Sequence, residues 1–222
     1  MRTLIVCPCM DTVDTEFMTS FMGMKRVGET RFTIVRSSLV YDARNMLASQ
    51  ALSEGYDRIL WVDSDMQIPP DMMERLSADM DEGREMVCGL YFGRKPPIAP
   101  VIFNKLVYEL SEKNFEHDLQ RYYDYPRDSI FPIVACGFGA VMMTTELIRK
   151  VANKFGYPFT PMMGLGEDIA FCWRVNQLEI PIYCDSRVKV GHYGVALYNE
   201  NVYLNQLEIQ KLKEEQSHEA ES

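Results

Sequence analysis

Arg58-Ile59-Leu60-Trp61-Val62-Asp63-Ser64-Asp65 is the stretch that decides how this chain reads. Five residues of strand character run without a break into two carboxylates spaced i and i+2. An apolar run bounded in this way suits a buried strand. In extended backbone alternate side chains share a face, so Asp63 and Asp65 are expected to point the same way. Two anions converging at the carboxyl end of a strand repel each other unless something positive sits between them. A hard divalent cation fits, since it prefers carboxylate oxygens and keeps positions open for substrate phosphates. The plainer reading is an acidic loop, because Asp-x-Asp recurs by chance.

The surroundings of that strand alternate between strand and helix patterns. Strands are expected over 4–7, 31–35, 58–62 and 85–91. Asp14 is placed to cap a helix carrying Phe17, Met18, Phe21 and Met22 on one face. Asp42 is placed to cap a second, with Ala43, Met46, Leu47 and Ala51 inward and Gly55 at its end. Pro69-Pro70-Asp71 opens a third, which stops at Gly83. This β-α-β-α-β-α-β order predicts an α/β fold with a mostly parallel sheet and helices on both faces. Ligands of such sheets bind beyond the carboxyl ends of the strands, where Cys7-Pro8, Arg36-Ser37 and Asp63 would gather. Residues 92–135 differ, being rich in Pro, Tyr and β-formers. Short strands at 101–106, 121–125 and 130–135 predict a small antiparallel addition. Helices follow at 145–155 and 167–177, short strands at 182–184 and 188–190, and a helix running into a polar tail at 201–222.

The 222 residues suit one domain with a sizeable core, and 47% hydrophobic with 25% charged content is that of an ordinary globular protein. A net charge of −9 and a pI of about 4.9 argue against a general binder of nucleic acid or anionic membrane. No apolar run is long enough to span a bilayer, and the run at the start is too short for a signal peptide. The six cysteines form no C-x-x-C pair, which argues against zinc and for reduced thiols in a cytoplasm.

Three further constellations carry chemistry. Gly164-Leu165-Gly166-Glu167-Asp168 sets two carboxylates in the first turn of a helix behind a glycine loop. Helix-dipole complementarity explains the acids but not the glycines, which permit close approach of a substrate. Asp168 or Glu167 is therefore a candidate general base. Gly191-His192 ends a short strand, and its imidazole would suit a Mn²⁺-type ion shared with Asp63 and Asp65. Cys136-Gly137-Phe138-Gly139-Ala140 is small enough for backbone to approach a ligand, or else is a tight turn between strand and helix.

In this order the motifs resemble GT-A-fold glycosyltransferases of the small bacterial or phage type, which use nucleotide-diphosphate sugars. Asp63-Ser64-Asp65 looks like their D-x-D motif. Gly137-Phe138-Gly139 is similar to their segment beside the donor sugar, and Gly166-Glu167-Asp168 with Phe171 and Arg174 to their G-E-D-x-x-F-x-x-R segment. Tyr41-Asp42-Ala43-Arg44-Asn45 is like their A-R-N helix start. The resemblance covers about residues 3–195. It implies a single GT-A domain over 1–200, with a nucleotide-binding half to about 95 and an acceptor half from 96. It implies Mn²⁺ or Mg²⁺ held by Asp65, Asp63 and His192 against the donor diphosphate. Cys7, Pro8, Arg36, Arg44, Ser64 and Gly137-Phe138-Gly139 would line the donor pocket, with Gly89 to Arg94 facing the donor sugar. Asp168, with Glu167 beside it, would take the proton of an acceptor hydroxyl, which describes inversion. A UDP-sugar is the expected donor, although Arg36-Ser37 stands where many relatives carry an Asp for uracil. The acceptor is open among a glycan, a lipid-linked sugar, a protein and a modified DNA base. The expected place is the cytoplasm, the host's for a phage protein. A non-catalytic nucleotide-sugar-binding subunit is the rival of another class. A sugar nucleotidyltransferase ranks lower, because Cys7-Pro8-Cys9-Met10-Asp11-Thr12 is no Gly-rich basic loop.

Overall fold

The computed structural model describes residues 1–110, 115–194 and 197–220; the last two residues of the expected polar tail lie outside them. The first half holds β1 (Arg2–Cys9), α1 (Thr15–Gly23), β2 (Glu29–Arg36), α2 (Val40–Ser53), β3 (Arg58–Val62), β4 (Met66–Gln67), α3 (Met72–Asp81) and β5 (Met86–Leu90). The second half holds β6 (Ile102–Leu110), β7 (Phe115–Arg121), β8 (Ile130–Ile133), β9 (Ala135–Cys136), β10 (Ala140–Thr144), α4 (Thr145–Phe155) and α5 (Glu167–Asn176). It closes with β11 (Ile182–Lys189), β12 (Gly191–Tyr193), β13 (Leu197–Tyr198) and α6 (Glu200–Ala220). No helix among the described residues is long and apolar enough to cross a membrane.

Seven strands make the central sheet, in the order β2-β1-β3-β10-β5-β11-β8. Five of them point one way, while β10 and β8 run against their neighbours. Two three-stranded antiparallel sheets, β13-β12-β4 and β7-β6-β9, are added to it. Strand alternation sorts the core. Ile59 and Trp61 of β3 pack with Leu47 of α2, Leu147 of α4 and Phe171 of α5. Leu60 and Val62 pack on the other face with Phe17 of α1 and Leu76 of α3. The mixed α/β sandwich with a mostly parallel sheet and small antiparallel sheets is thus the one expected.

Several local expectations are corrected. The segment after Gly139 is no turn into a helix. It is β10, antiparallel between β3 and β5, and its Ala140-Val141-Met142-Met143 run is buried on both faces. β7 covers Phe115–Arg121, upstream of the expected 121–125. The strands expected at 182–184 and 188–190 are one strand, β11, which ends at Lys189 and is broken by a bulge between Asp185 and Lys189. Asp14 occupies the cap position of α1 without a side-chain hydrogen bond, and Leu39, not Asp42, caps α2. Met22 and Met46 face outward, 72% and 61% exposed. Helix termination does follow Gly55 and Gly83, both at positive φ.

The bulge of β11 is held by a charge cluster of two buried acids and an exposed arginine. Arg187 donates through Nε to Asp185 Oδ1 (2.8 Å) and through Nη2 to Asp79 Oδ1 of α3 (2.9 Å). Asp79 Oδ2 is buried without a donor. Burial, and then the hydrogen bond and charge of Asp185, push the Asp79 carboxyl up to about 6. A carboxyl raised on folding contributes most stability when protonated, so that contribution fades as pH climbs from about 3.8 to about 6. Asp79→Asn keeps the acceptor for Arg187 and presents an amide donor to Asp185. It should raise stability by about 1 kcal/mol at pH 7.5, with the gain vanishing near pH 4. Urea unfolding at the two pH values checks this; a loss of stability at pH 7.5 would contradict it.

Candidate active site

The carboxyl ends of β1, β2 and β3 open on one cleft of about 330 Å³. Pro8, Cys9 and Met10 form one wall, Ser37 and Ser38 another, and Asp63, Ser64 and Asp65 the floor. Arg44 from α2 and Glu167 and Asp168 from the start of α5 close the far side. Four carboxylates and a single guanidinium therefore line the space.

Arg44 is 2% exposed and sits between two of those carboxylates. Its Nη2 donates to Asp63 Oδ1 at 2.9 Å and its Nε to Glu167 Oε1 at 3.1 Å. The guanidinium also lies over the rings of Trp61 (5.4 Å) and Phe138 (5.3 Å). Its Nη1 has no hydrogen-bond acceptor and is left to those ring faces. Burial pushes the Asp63 carboxyl above its usual value, although Arg44 pulls the other way. Asn45, next along α2, accepts the Phe159 amide (3.1 Å) and so ties down the segment that leads to α5.

Asp63 and Asp65 do not share a direction. The backbone turns at Ser64-Asp65, closed by the Met66 amide on the Asp63 carbonyl at 3.3 Å, and period-two alternation ends with β3. Asp63 meets Arg44, while Asp65 Oδ2 meets Arg94 Nη1 (2.5 Å) and His192 Nε2 (3.3 Å). His192 is brought there by β12 pairing with β4, with His192 opposite Met66. Its Nδ1 donates to the Phe92 carbonyl at 2.8 Å, since a carbonyl only accepts. Nε2 donates to the Asp65 carboxylate when the ring is protonated, and presents a lone pair to a cation only when it is neutral. Burial raises the Asp65 carboxyl, but the His192 hydrogen bond and the charges of His192 and Arg94 outweigh it and hold the group below its usual value.

Asp168 is partly open to the cleft and sits among protein on its other sides. Its Oδ1 accepts the Ile169 amide at 2.7 Å. Burial and the neighbouring Glu167 charge push it up to about 6. Gly166 makes room for this arrangement, because a Cβ there would lie 3.0 Å from Asp168 Oδ1.

Compared with known proteins, no family model and no curated protein matches the chain in sequence. Solved structures do. The crystal structure of A197 from STIV superposes with a TM-score of 0.62 at 21% identity, over 87% of this chain and 86% of that one. GalNAc-T7, solved with UDP, GalNAc and Mn²⁺, superposes with a TM-score of 0.59 at 10% identity. That likeness covers 86% of this chain and 43% of the GalNAc-T7 chain. Identities this low speak for fold alone. The fold is GT-A-like.

Within this GT-A-like frame the expected site residues fall into two groups. Pro8, Arg44, Asp63, Ser64, Asp65, Glu167 and Asp168 line the cleft, and His192 stands behind Asp65. Cys7, Arg36 and Gly137-Phe138-Gly139 do not line it. Cys7 is packed in the α1–α3 core, where burial raises its thiol. Arg36 points to solvent and reaches Asp11 at 3.5 Å. Phe138 is buried against Trp61, Phe159 and Phe171 and supports Arg44 from below. The flanking glycines serve packing, since a Cβ on Gly137 would meet Tyr91 Oη at 2.0 Å and one on Gly139 would meet Met66 Cε at 2.5 Å. Nor do Asp63, Asp65 and His192 converge as one donor set, and among the described residues no three His, Cys, Asp or Glu side chains do. Cys9, Met10, Ser38 and Val40 line the cleft without having been singled out. The rule that ligands gather beyond strand ends would have found the first three.

Removing one partner of a buried ion pair leaves the other charge stranded, which typically costs about 3–5 kcal/mol. Arg44→Met should therefore destabilise the chain by about 3 kcal/mol. The loss should shrink by at least half when Glu167→Gln is combined with it. Thermal unfolding of the single and double variants checks the coupling; additive losses would show that Glu167 does not lean on Arg44.

Proposed function

We propose that this chain is a glycosyltransferase that moves a sugar from a nucleotide-diphosphate donor, a UDP-sugar in the first instance, to an acceptor hydroxyl. The observation that carries the reading is the facing of His192 Nε2 and Asp65 Oδ2 at the mouth of an acidic cleft in a GT-A-like fold. An imidazole whose Nδ1–H is fixed on a backbone carbonyl presents Nε2 as a ligand, and a carboxylate oxygen lies beside it. The pair fits Mn²⁺ or Mg²⁺ as two of its ligands, leaving positions for donor oxygens. Asp63, as placed, serves Arg44 instead. When bound, the ion supplies positive charge against the charge that grows on a departing nucleoside diphosphate. The lining itself gives the same argument by sign. A diphosphate entering beside four carboxylates and one guanidinium needs a cation for company.

The chain's own groups then divide the work. Pro8, Cys9, Ser37 and Ser38 form the walls for the nucleotide; the Ser37 hydroxyl is engaged by the Leu39 backbone, which leaves the Ser38 hydroxyl to base or ribose. Arg44 holds Asp63 and Glu167 in place. Asp168, raised towards neutrality, takes the proton of the acceptor hydroxyl as it attacks the anomeric carbon, which gives inversion. The acceptor belongs among glycans, lipid-linked sugars, proteins and modified DNA bases.

UDP release from a panel of UDP-sugars with Mn²⁺ tests the reading, and turnover of none alongside tight UDP binding would favour a non-catalytic binder. Asp65→Ala should lose metal-dependent UDP affinity by at least about tenfold, given that a shared ligand is removed; near-normal affinity refutes the ion's placement. Asp168→Asn should leave UDP affinity within about twofold and slow transfer about 100-fold. A base must be ionised to act, so turnover should rise with pH through about 6 and level off above it. That rise should be absent in Asp168→Asn, and a flat wild-type profile would remove Asp168 from the role.

A further inference from the structure

The loop after β5 carries Arg94 and Lys95 and then Pro96 and Pro97. The first two join Arg121 and Tyr123 around a pocket of about 410 Å³. That lining holds three cations and no acid, on a chain whose net charge is −9. Arg121 is braced by its bond to the Pro100 carbonyl (2.6 Å) and by the Phe103 ring beneath it (5.2 Å). Among the described residues neither Lys95 nor Arg121 is in an ion pair. Arg94 reaches the other way, to Asp65 at the edge of the acidic cleft. The basic pocket and the candidate active site thus share a side chain.

On its far side the same loop forms an apolar groove with α6. Pro96, Pro97, Val202 and Ile209 line it, and Val202 and Ile209 remain exposed. The groove has a fixed floor, since the Gln206 amide grips Ile98 through both backbone atoms, at 2.7 and 3.1 Å. Pro97 belongs to both the groove and the basic pocket.

Cations against one end of a loop and bare apolar surface against the other suit one ligand chemistry. We infer that this surface is the acceptor subsite for a phosphate-linked amphiphile: a sugar joined through phosphate or diphosphate to a hydrocarbon chain. The phosphate lies among Lys95, Arg121 and the outer edge of Arg94, and guanidinium forks suit its oxygens. The hydrocarbon lies along Pro96, Pro97, Val202 and Ile209. The sugar is left on the Asp65 side, toward the carboxylates. Three cations match one or two phosphates. They do not make the long basic track that a polynucleotide needs, and the overall negative charge repels one. This inference rests on the glycosyltransferase reading for its meaning, but binding at the surface can be measured apart from transfer.

Isothermal titration of the full chain with geranyl diphosphate, in buffer free of divalent ions, reads the subsite directly. Inorganic pyrophosphate, geraniol and a single-stranded 12-mer oligonucleotide are the comparison arms. Geranyl diphosphate should bind at least tenfold tighter than pyrophosphate or geraniol. Lys95→Gln and Arg121→Gln should each weaken it at least fivefold. Ile209→Asp should weaken it at least threefold while leaving pyrophosphate binding unchanged. All three side chains are at least partly exposed, and Lys95 makes no ion pair, so Lys95→Gln keeps the test valid if Arg121→Gln unfolds. Affinity within twofold of wild type in both basic variants would overturn the inference. So would an oligonucleotide that binds as tightly and with the same dependence on Lys95. UDP affinity with Mn²⁺, measured on the same variants, should not move. If wild type fails to bind UDP while geranyl diphosphate binding follows the pattern above, the donor reading falls and the amphiphile site stands.

Discussion

The site depends on one buried guanidinium. Arg44 comes from the second turn of α2, and its planar fork reaches two elements at once, Nη2 to the end of β3 and Nε to the start of α5. A lysine ammonium is a point charge on a flexible stem and could not span both carboxylates in fixed geometry. The fork explains the aromatic floor as well. Trp61 and Phe138 are flat, apolar and electron-rich on their faces, so they fill the space under the guanidinium without competing for its donors. Without this cation the acids of β3 and α5 would crowd a partly buried cleft with nothing to hold them together.

A second device brings distant residues to the same place. Asp65 and His192 are 127 positions apart. They meet because β4, two residues long, leaves the main sheet and pairs with β12, and because the Tyr193 amide donates to the Asp65 carbonyl at 2.7 Å. The small sheet can form only where the backbone has already turned at Ser64. The turn that separates Asp65 from Asp63 is thus the one that delivers Asp65 to His192. Space for it comes from residues that are small for packing reasons. Gly139 lets Met66 and Tyr91 close over the end of β10, and the Tyr91 ring stands edge-on to His192 at 5.6 Å.

Much of this was legible in the chain. The buried strand 58–62, the helix ends at Gly55 and Gly83, and the acids at 63, 65, 167 and 168 all follow from local pattern, and local pattern is what sequence reading measures. Four things were not. β10 was missed because an apolar run of four says buried but not strand or helix, and only its place between β3 and β5 settles the matter. The divergence of Asp63 and Asp65 was missed because alternation holds only while the backbone stays extended. Cys7, Phe138 and the glycines at 137 and 139 lie beside the site in sequence, and the fold spends them on packing around it. Arg44 was expected at the donor pocket and lines the cleft, but its pairing with both Asp63 and Glu167 became readable only in the fold.

The opposing influences on Asp168 show how tightly these parts are joined. The first turn of a helix favours an ionised carboxylate, and so do the Ile169 amide and the Arg44 charge. Burial and the adjacent Glu167 work against it and win, leaving the group near 6. Arg44 pairs with Glu167 at 3.1 Å and so fixes where that neighbouring carboxylate sits. The basicity of Asp168 is therefore a balance struck by its neighbours: burial and the adjacent Glu167 charge raise it, the Ile169 amide and the more distant Arg44 charge lower it, and the result lies in the range where a carboxylate can accept a proton at neutral pH.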